Sequence, residues 1–159
     1  MAERYPADLA LVVKQLPLDF HPQAMGAALG ALAAVRQGKG WAMHEKMLAN
    51  RQALGRPELE RYAAEVGLDP ERFRRDLDDP ALKAQVQADR ELAGKLGVRG
   101  TPTGFANGRP VRGARPIEEI TKVVDAELEA AGKLLAAGTP LGEIYEKRSR
   151  ANVAAGAKE

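Results

Sequence analysis

The 159-residue sequence contains no cysteine. Without sulfur there is no disulfide framework, no Cys-ligated zinc, no iron–sulfur cluster and no thiolate nucleophile. Serine is nearly as scarce: the only one is Ser149, in what reads as the C-terminal tail, so acyl transfer through a serine hydroxyl has almost no starting point. Aromatic residues make up 4% of a chain that is 45% hydrophobic, so its core must be mostly Ala, Leu and Val. Those proportions point to a folded, soluble, largely helical chain. No window approaches the ~18 uninterrupted apolar residues of a membrane span. Met1-Ala2-Glu3-Arg4 runs directly into Tyr5-Pro6 without an apolar signal core, so the chain as written is expected to have no export signal, no membrane partner and a cytoplasmic location. An excess of one charge is missing too: 24 Lys+Arg face 22 Asp+Glu, and the two signs are interleaved along the chain. The longest basic cluster, Arg72, Arg74 and Arg75, is flanked by Glu71, Asp76, Asp78 and Asp79, which reads as a solvated helix face and gives no nucleic-acid partner.

What the chain does contain is regular punctuation. Leu9 to Leu16 is a short leucine-rich and β-branched run closed by Pro17, and it predicts a strand. From 22 to 96 the periodicity is helical and predicts about five helices. The first carries Met25, Leu29, Leu32 and Val35 and ends at Gly38 and Gly40; the second carries Trp41, Met43, Met47 and Leu48. Pro57, Asp69-Pro70 and Asp79-Pro80 mark three further helix starts, because proline at the first helical position loses no hydrogen bond and Asp before it can accept from the free first-turn amides. Gly67 and Gly97 fall where helices end in the left-handed conformation. After Gly97, Thr103 to Ala106 and Pro110 to Arg112 are strand-like segments around Asn107-Gly108, a dipeptide suited to a tight hairpin turn. Pro116 then opens a long helix with Ile117, Ile120, Val123, Val124 and Leu128 at helical spacing, ending near Gly138. A short helix from Pro140 to about Arg148, capped by Thr139, precedes a loose tail. The expected organisation is one domain over 1–138, with 139–159 as short helix and tail.

Several catalytic templates fail on spacing. His44-Glu45 begins a zinc-protease-like helix motif, but Leu48 stands where the second histidine is required, so no metal site is expected. His21 and His44, lacking an identified carboxylate, read as capping or core-edge residues. Gly38-Lys39-Gly40 has no third glycine at the phosphate-cradling position and follows no strand. No cofactor is therefore expected.

One segment stands apart: Val98-Arg99-Gly100-Thr101-Pro102-Thr103-Gly104-Phe105. A proline directly before a strand cannot donate to the ladder and belongs at a strand start or in a special loop. Gly100-Thr101-Pro102-Thr103, then Phe105-Ala106-Asn107-Gly108 and Gly113-Ala114, then Pro116 and a long helix, resemble the end of a DsbA-like thioredoxin-fold domain. Val12 to Leu18, Phe20-His21 and Gly38-Lys39-Gly40-Trp41-Ala42-Met43-His44 agree with that family, and the resemblance covers about residues 9 to 132. It implies an α/β, thioredoxin-like fold with a helical insertion at about 22–96, a cis bond between Thr101 and Pro102, and, in active relatives, dithiol–disulfide exchange on an extended peptide. By the same resemblance, Gly100, Thr101, Pro102 and Thr103 form a peptide-binding loop that offers main-chain hydrogen bonds.

Two departures shape the functional expectation. Active relatives place Cys-x-x-Cys at the start of a helix, after a strand that comes before the segment matching Leu9 to Leu16, and this chain begins after that point. Gly104 stands where relatives carry a bulky apolar residue, which is expected to weaken the strand and remove core volume. An incomplete sheet of about three strands follows. Without the central strand, its neighbours would lie about 9–10 Å apart, too far for a backbone hydrogen bond. The first strand could move inward, a homodimer could complete the sheet, or another polypeptide could add a strand by β-augmentation; the homodimer is the favoured expectation. The chain then reads as a redox-inactive binding or structural module. The alternative is a fragment of a thiol–disulfide oxidoreductase whose Cys-x-x-Cys half lies elsewhere.

Overall fold

The computed structural model describes residue 1 and residues 3–156, and the chain divides into two units, one of Val13–Arg99 and one of Met1–Val12 together with the chain from Gly100 onward. The Val13–Arg99 unit contains α1 (Ala24–Val35), α2 (Gly40–Ala49), α3 (Arg56–Glu65), α4 (Pro70–Asp78) and α5 (Pro80–Lys95). Local chemistry sets several of their ends. The Asp69 carboxylate accepts from the Arg72 amide at 2.9 Å and that of Asp79 from the Ala81 amide at 2.8 Å, so the two Asp-Pro pairs cap α4 and α5. Gly67 and Gly97 leave their helices at φ of 75° and 66°.

Periodicity puts Leu29, Leu32, Met43, Met47, Leu59, Tyr62, Phe73, Leu77, Leu82 and Val86 into one core. Met25, Val35, Trp41 and Leu48, which share those helices, stay exposed. The core closes tightly around α1: a Cβ built on Gly30 would lie 3.6 Å from both Phe73 Cζ and Leu59 Cδ2. The Tyr62 hydroxyl satisfies itself by donating to the Ala53 carbonyl at 3.0 Å.

The predicted strand at Leu9 to Leu16 is corrected: this segment has no regular secondary structure, and Leu11, Val12 and Val13 are exposed. A β-branched run favours extended backbone, but a strand exists only against a neighbouring backbone, and no described strand pairs with it. Its end is held by a side chain instead. The buried Asp89 on α5 accepts from the Gln15 amide at 2.9 Å and from Lys14 Nζ at 3.0 Å.

The second unit is built on β1 (Thr103–Ala106), β2 (Arg109–Arg112), α6 (Ile117–Ala136) and α7 (Leu141–Gly156). Among the described residues the sheet has two antiparallel strands rather than the expected three, in the register Thr103↔Arg112, Gly104↔Val111, Phe105↔Pro110 and Ala106↔Arg109. Asn107 and Gly108 both have positive φ, 46° and 82°, which is the turn that keeps a two-residue hairpin twisted correctly. Gly108 is required for a second reason: a Cβ there would stand 2.9 Å from the Ser149 carbonyl oxygen and 3.0 Å from Ser149 Cα. The last helix differs from its expected length. It runs past Arg148 to Gly156, and Thr139 Oγ1 accepts from Lys147 Nζ at 3.3 Å rather than from a first-turn amide. The remainder of the expected tail, 157–159, lies outside the described residues.

Long-range contacts explain the extension of α7. Glu127 on α6 is buried, and its carboxylate accepts from Arg148 at 2.9 and 3.0 Å and from Asn152 Nδ2 at 3.0 Å. Asn152 Nδ2 also donates to the Asn107 carbonyl in the hairpin turn at 2.9 Å. One buried carboxylate thus ties α6, α7 and the hairpin together. Burial alone would raise the Glu127 pKa, but the hydrogen bonds from Arg148 and Asn152 outweigh it and hold the carboxyl below its usual range. On the N-terminal segment of the same unit, the Tyr5 hydroxyl donates to Asp125 at 2.5 Å.

Candidate functional site

The four predicted site residues lie together where the chain enters β1. The Thr101–Pro102 peptide bond is cis. Thr103 Oγ1 donates to the Gly100 carbonyl at 2.8 Å and the Gly113 amide donates to the Pro102 carbonyl at 2.9 Å, so both ends of the loop are tied to the hairpin. Thr101 and Pro102 are exposed, and Gly100 and Thr103 are half-buried. Gly104 is exposed, and a Cβ there would meet nothing within 4 Å. The expected loss of core volume at Gly104 is therefore corrected: the space above it is open.

The register decides which backbone groups face outward. In a two-residue hairpin the pair flanking the turn, Ala106 and Arg109, exchanges hydrogen bonds, and such pairs alternate along the ladder. Gly104↔Val111 then bonds as well, and the Gly113–Pro102 hydrogen bond continues the alternation. Thr103 and Phe105 are left with their N–H and C=O groups directed away from β2. Pro110 opposite Phe105 has no N–H to offer, which fits that assignment. Among the described residues neither the Thr103 nor the Phe105 amide donates to any other group. The outer side of β1 is an open strand edge.

Charge completes the site. Thr103, Phe105, Pro110 and Arg112 share one face of the hairpin, and Gly104, Ala106, Arg109 and Val111 share the other. Arg36, Arg56, Arg74 and Arg148 each hold a carboxylate. Arg109 and Arg112 are exposed and have no carboxylate partner among the described residues, and the nearby Arg115 pairs with Glu119 at 3.6 Å. Reading the charges as interleaved missed this feature. Between Glu91 and Glu118 the sequence holds Lys95, Arg99, Arg109, Arg112 and Arg115 and no Asp or Glu, a gap that counting acids alone would have exposed.

The other residues tested in the sequence stay apart from any reactive arrangement. His21 packs against Phe20 with ring centroids 4.4 Å apart, and His44 meets the Trp41 ring edge-on at 5.8 Å. No cluster of three or more His, Asp or Glu among the described residues is placed to hold a metal ion, and no described helix is long and apolar enough to cross a membrane.

Comparison with known proteins agrees with this architecture. A family model described as the DSBA-like thioredoxin domain matches residues 6–141, so that α7 lies almost wholly beyond the match. The chain is 41% identical over 119 residues to a Na(+)/H(+) antiporter NhaA from Herminiimonas arsenicoxydans, a match covering 75% of this chain and 19% of the relative. It is 41% identical over 114 residues to Na(+)/H(+) antiporter NhaA 3 from Salinispora tropica, covering 71% and 18%. With Na(+)/H(+) antiporter NhaA 1 from Mycolicibacterium gilvum the identity is 32% over 122 residues, covering 75% and 20%. The chain spans about a fifth of the length of these curated relatives. No solved structure matches. A helical unit, a loop with proline at the head of a short hairpin and a long following helix, matched from residue 6 to residue 141, place this chain in the DSBA-like thioredoxin domain family.

Proposed function

We propose that this chain is a redox-inactive DsbA-like module that acts by binding. Its open β1 edge and the Gly100–Thr103 loop receive an extended peptide or a partner strand, supplied by a second copy in a homodimer or by another polypeptide. The helical unit is read as the insertion of the DsbA-type fold. The observation that carries this reading is a family match over residues 6–141 in a chain with no cysteine. Thiol–disulfide exchange proceeds by thiolate attack on a disulfide sulfur, so the reagent itself is missing from this sequence. The unpartnered amides of β1 support binding, because an open edge gains hydrogen bonds from any strand laid against it. The relatives are several times longer and are named as Na(+)/H(+) antiporters, which suits a module joined to or docked on a transporter chain.

Two measurements test the proposal. Incubated with insulin and dithiothreitol, the purified chain should leave the rate of insulin reduction at the level of buffer, and catalysis above that level would overturn the redox-inactive reading. Light scattering at micromolar concentration separates the two sources of the strand. Twice the 17.1 kDa chain mass assigns it to a second copy, and the chain mass itself assigns it to another polypeptide.

A further inference from the structure

We infer that the strand received by β1 is an acidic, extended segment of another polypeptide, whose carboxylates meet Arg109 and Arg112. The inference rests on the reading of β1 as a pairing edge and adds the chemistry of its partner. Three observations carry it. The Thr103 and Phe105 amides face outward with no acceptor among the described residues, so the edge is ready for a backbone and not only for a side chain. Arg109 and Arg112, directly behind that edge on β2, have no carboxylate partner among the described residues. Small residues lie between them and the edge on one face: Ala106 opposite Arg109, and Gly104, above which no atom lies within 4 Å of a built Cβ.

Reach is sufficient. A strand added to β1 lies two strand spacings from β2, about 9–10 Å, a gap that an arginine and a glutamate side chain extended toward each other can close. Because strand side chains alternate between faces, carboxylates three positions apart in the incoming segment would meet Arg112 on the Thr103–Phe105 face and Arg109 on the Gly104–Ala106 face. A second copy's β1 fits the site less well. Its own segment, Thr103-Gly104-Phe105-Ala106, holds no carboxylate and would leave all the arginines unmatched. Charge complementarity therefore selects a foreign acidic strand over self-pairing.

Fluorescence anisotropy with labelled eight-residue peptides tests this on the full chain. A Val peptide carrying Glu at its third and sixth positions, which fall on opposite faces of a strand, should bind about tenfold more tightly than its Val–Lys counterpart at low salt, as two exposed ion pairs of the usual strength require, and the advantage should shrink as salt rises. The double variant R109Q/R112Q should erase the difference with no change in thermal unfolding, because both side chains are exposed. Equal affinity for the two peptides would overturn the acidic preference and leave edge pairing standing. If neither peptide binds, or if a Val–Glu peptide methylated at every backbone nitrogen binds as well as the unmodified one, edge pairing itself fails, and this inference with it. Vesicles containing phosphatidylserine that bind the wild type but not R109Q/R112Q, with no peptide bound, would assign the arginines to a lipid surface and overturn the inference.

Discussion

Arg148→Ala is expected to release α7. The Glu127 carboxylate is buried and takes two hydrogen bonds from the Arg148 guanidinium, so the truncation leaves a charge out of water with only the side-chain amides of Asn152 and, at 3.5 Å, Asn107 as donors. Removing one partner of a buried pair typically costs about 3 kcal/mol, much of it the desolvation of the charge left behind. Native-state hydrogen exchange is the suitable probe because the loss is local: α7 amides should exchange about a hundredfold faster in R148A, while those of α1–α5 keep their protection. Unchanged exchange in α7 would show that the pair does not hold the helix.

The pH dependence has a definite sign. Glu127 has a depressed pKa in the folded chain, so its stabilising contribution is present above the ordinary value of 4.5 and is lost as the pH falls through the folded value. In R148A burial dominates and favours the neutral acid. The gap in α7 protection between wild type and variant should therefore narrow as the solution is acidified, and a gap that widened would contradict the assignment.

The second large effect belongs to the helical core. Phe73 on α4 is fully buried, with its ring edge against the backbone of Gly30 on α1. Phe73→Ala removes the six ring carbons from a place where the neighbour has no side chain to move into the space, so the cavity term adds to the lost transfer free energy. The expected cost is about 3–5 kcal/mol. Trp41, the only tryptophan, lies in the same unit and reports its unfolding in urea by fluorescence. Phe73→Leu fills most of the space and should recover most of that loss. Equal midpoints for wild type and F73A would mean that the core repacks around Gly30 more freely than this geometry allows.

Most helix ends were legible because they depend on neighbours in sequence. Asp69-Pro70 and Asp79-Pro80 start α4 and α5 through hydrogen bonds that span two or three residues, and Asn107-Gly108 supplies the positive φ values of the hairpin within the turn itself. The loop from Gly100 to Thr103 was also visible, since its order relative to the hairpin and the following helix matches a family pattern. Leu9 to Leu16 was misread because its composition records a preference for extended backbone but not the presence of a partner. The Glu127–Arg148 pair stayed hidden for a related reason: it joins residues on different helices, and nothing near Glu127 in the sequence signals that its carboxylate is buried.

The sequence by itself determined the chemistry this chain lacks, the family it belongs to and the places where its helices start and stop, since these follow from composition, motif order and short-range hydrogen bonds. Only the tertiary structure decided that, among the described residues, β1 has an open edge and Arg109 and Arg112 stand behind it without carboxylate partners, and that α7 is locked to the hairpin through Glu127. Whether a backbone amide or a charge is satisfied depends on which groups distant in the chain come within about 3 Å of it, and folding alone settles that distance.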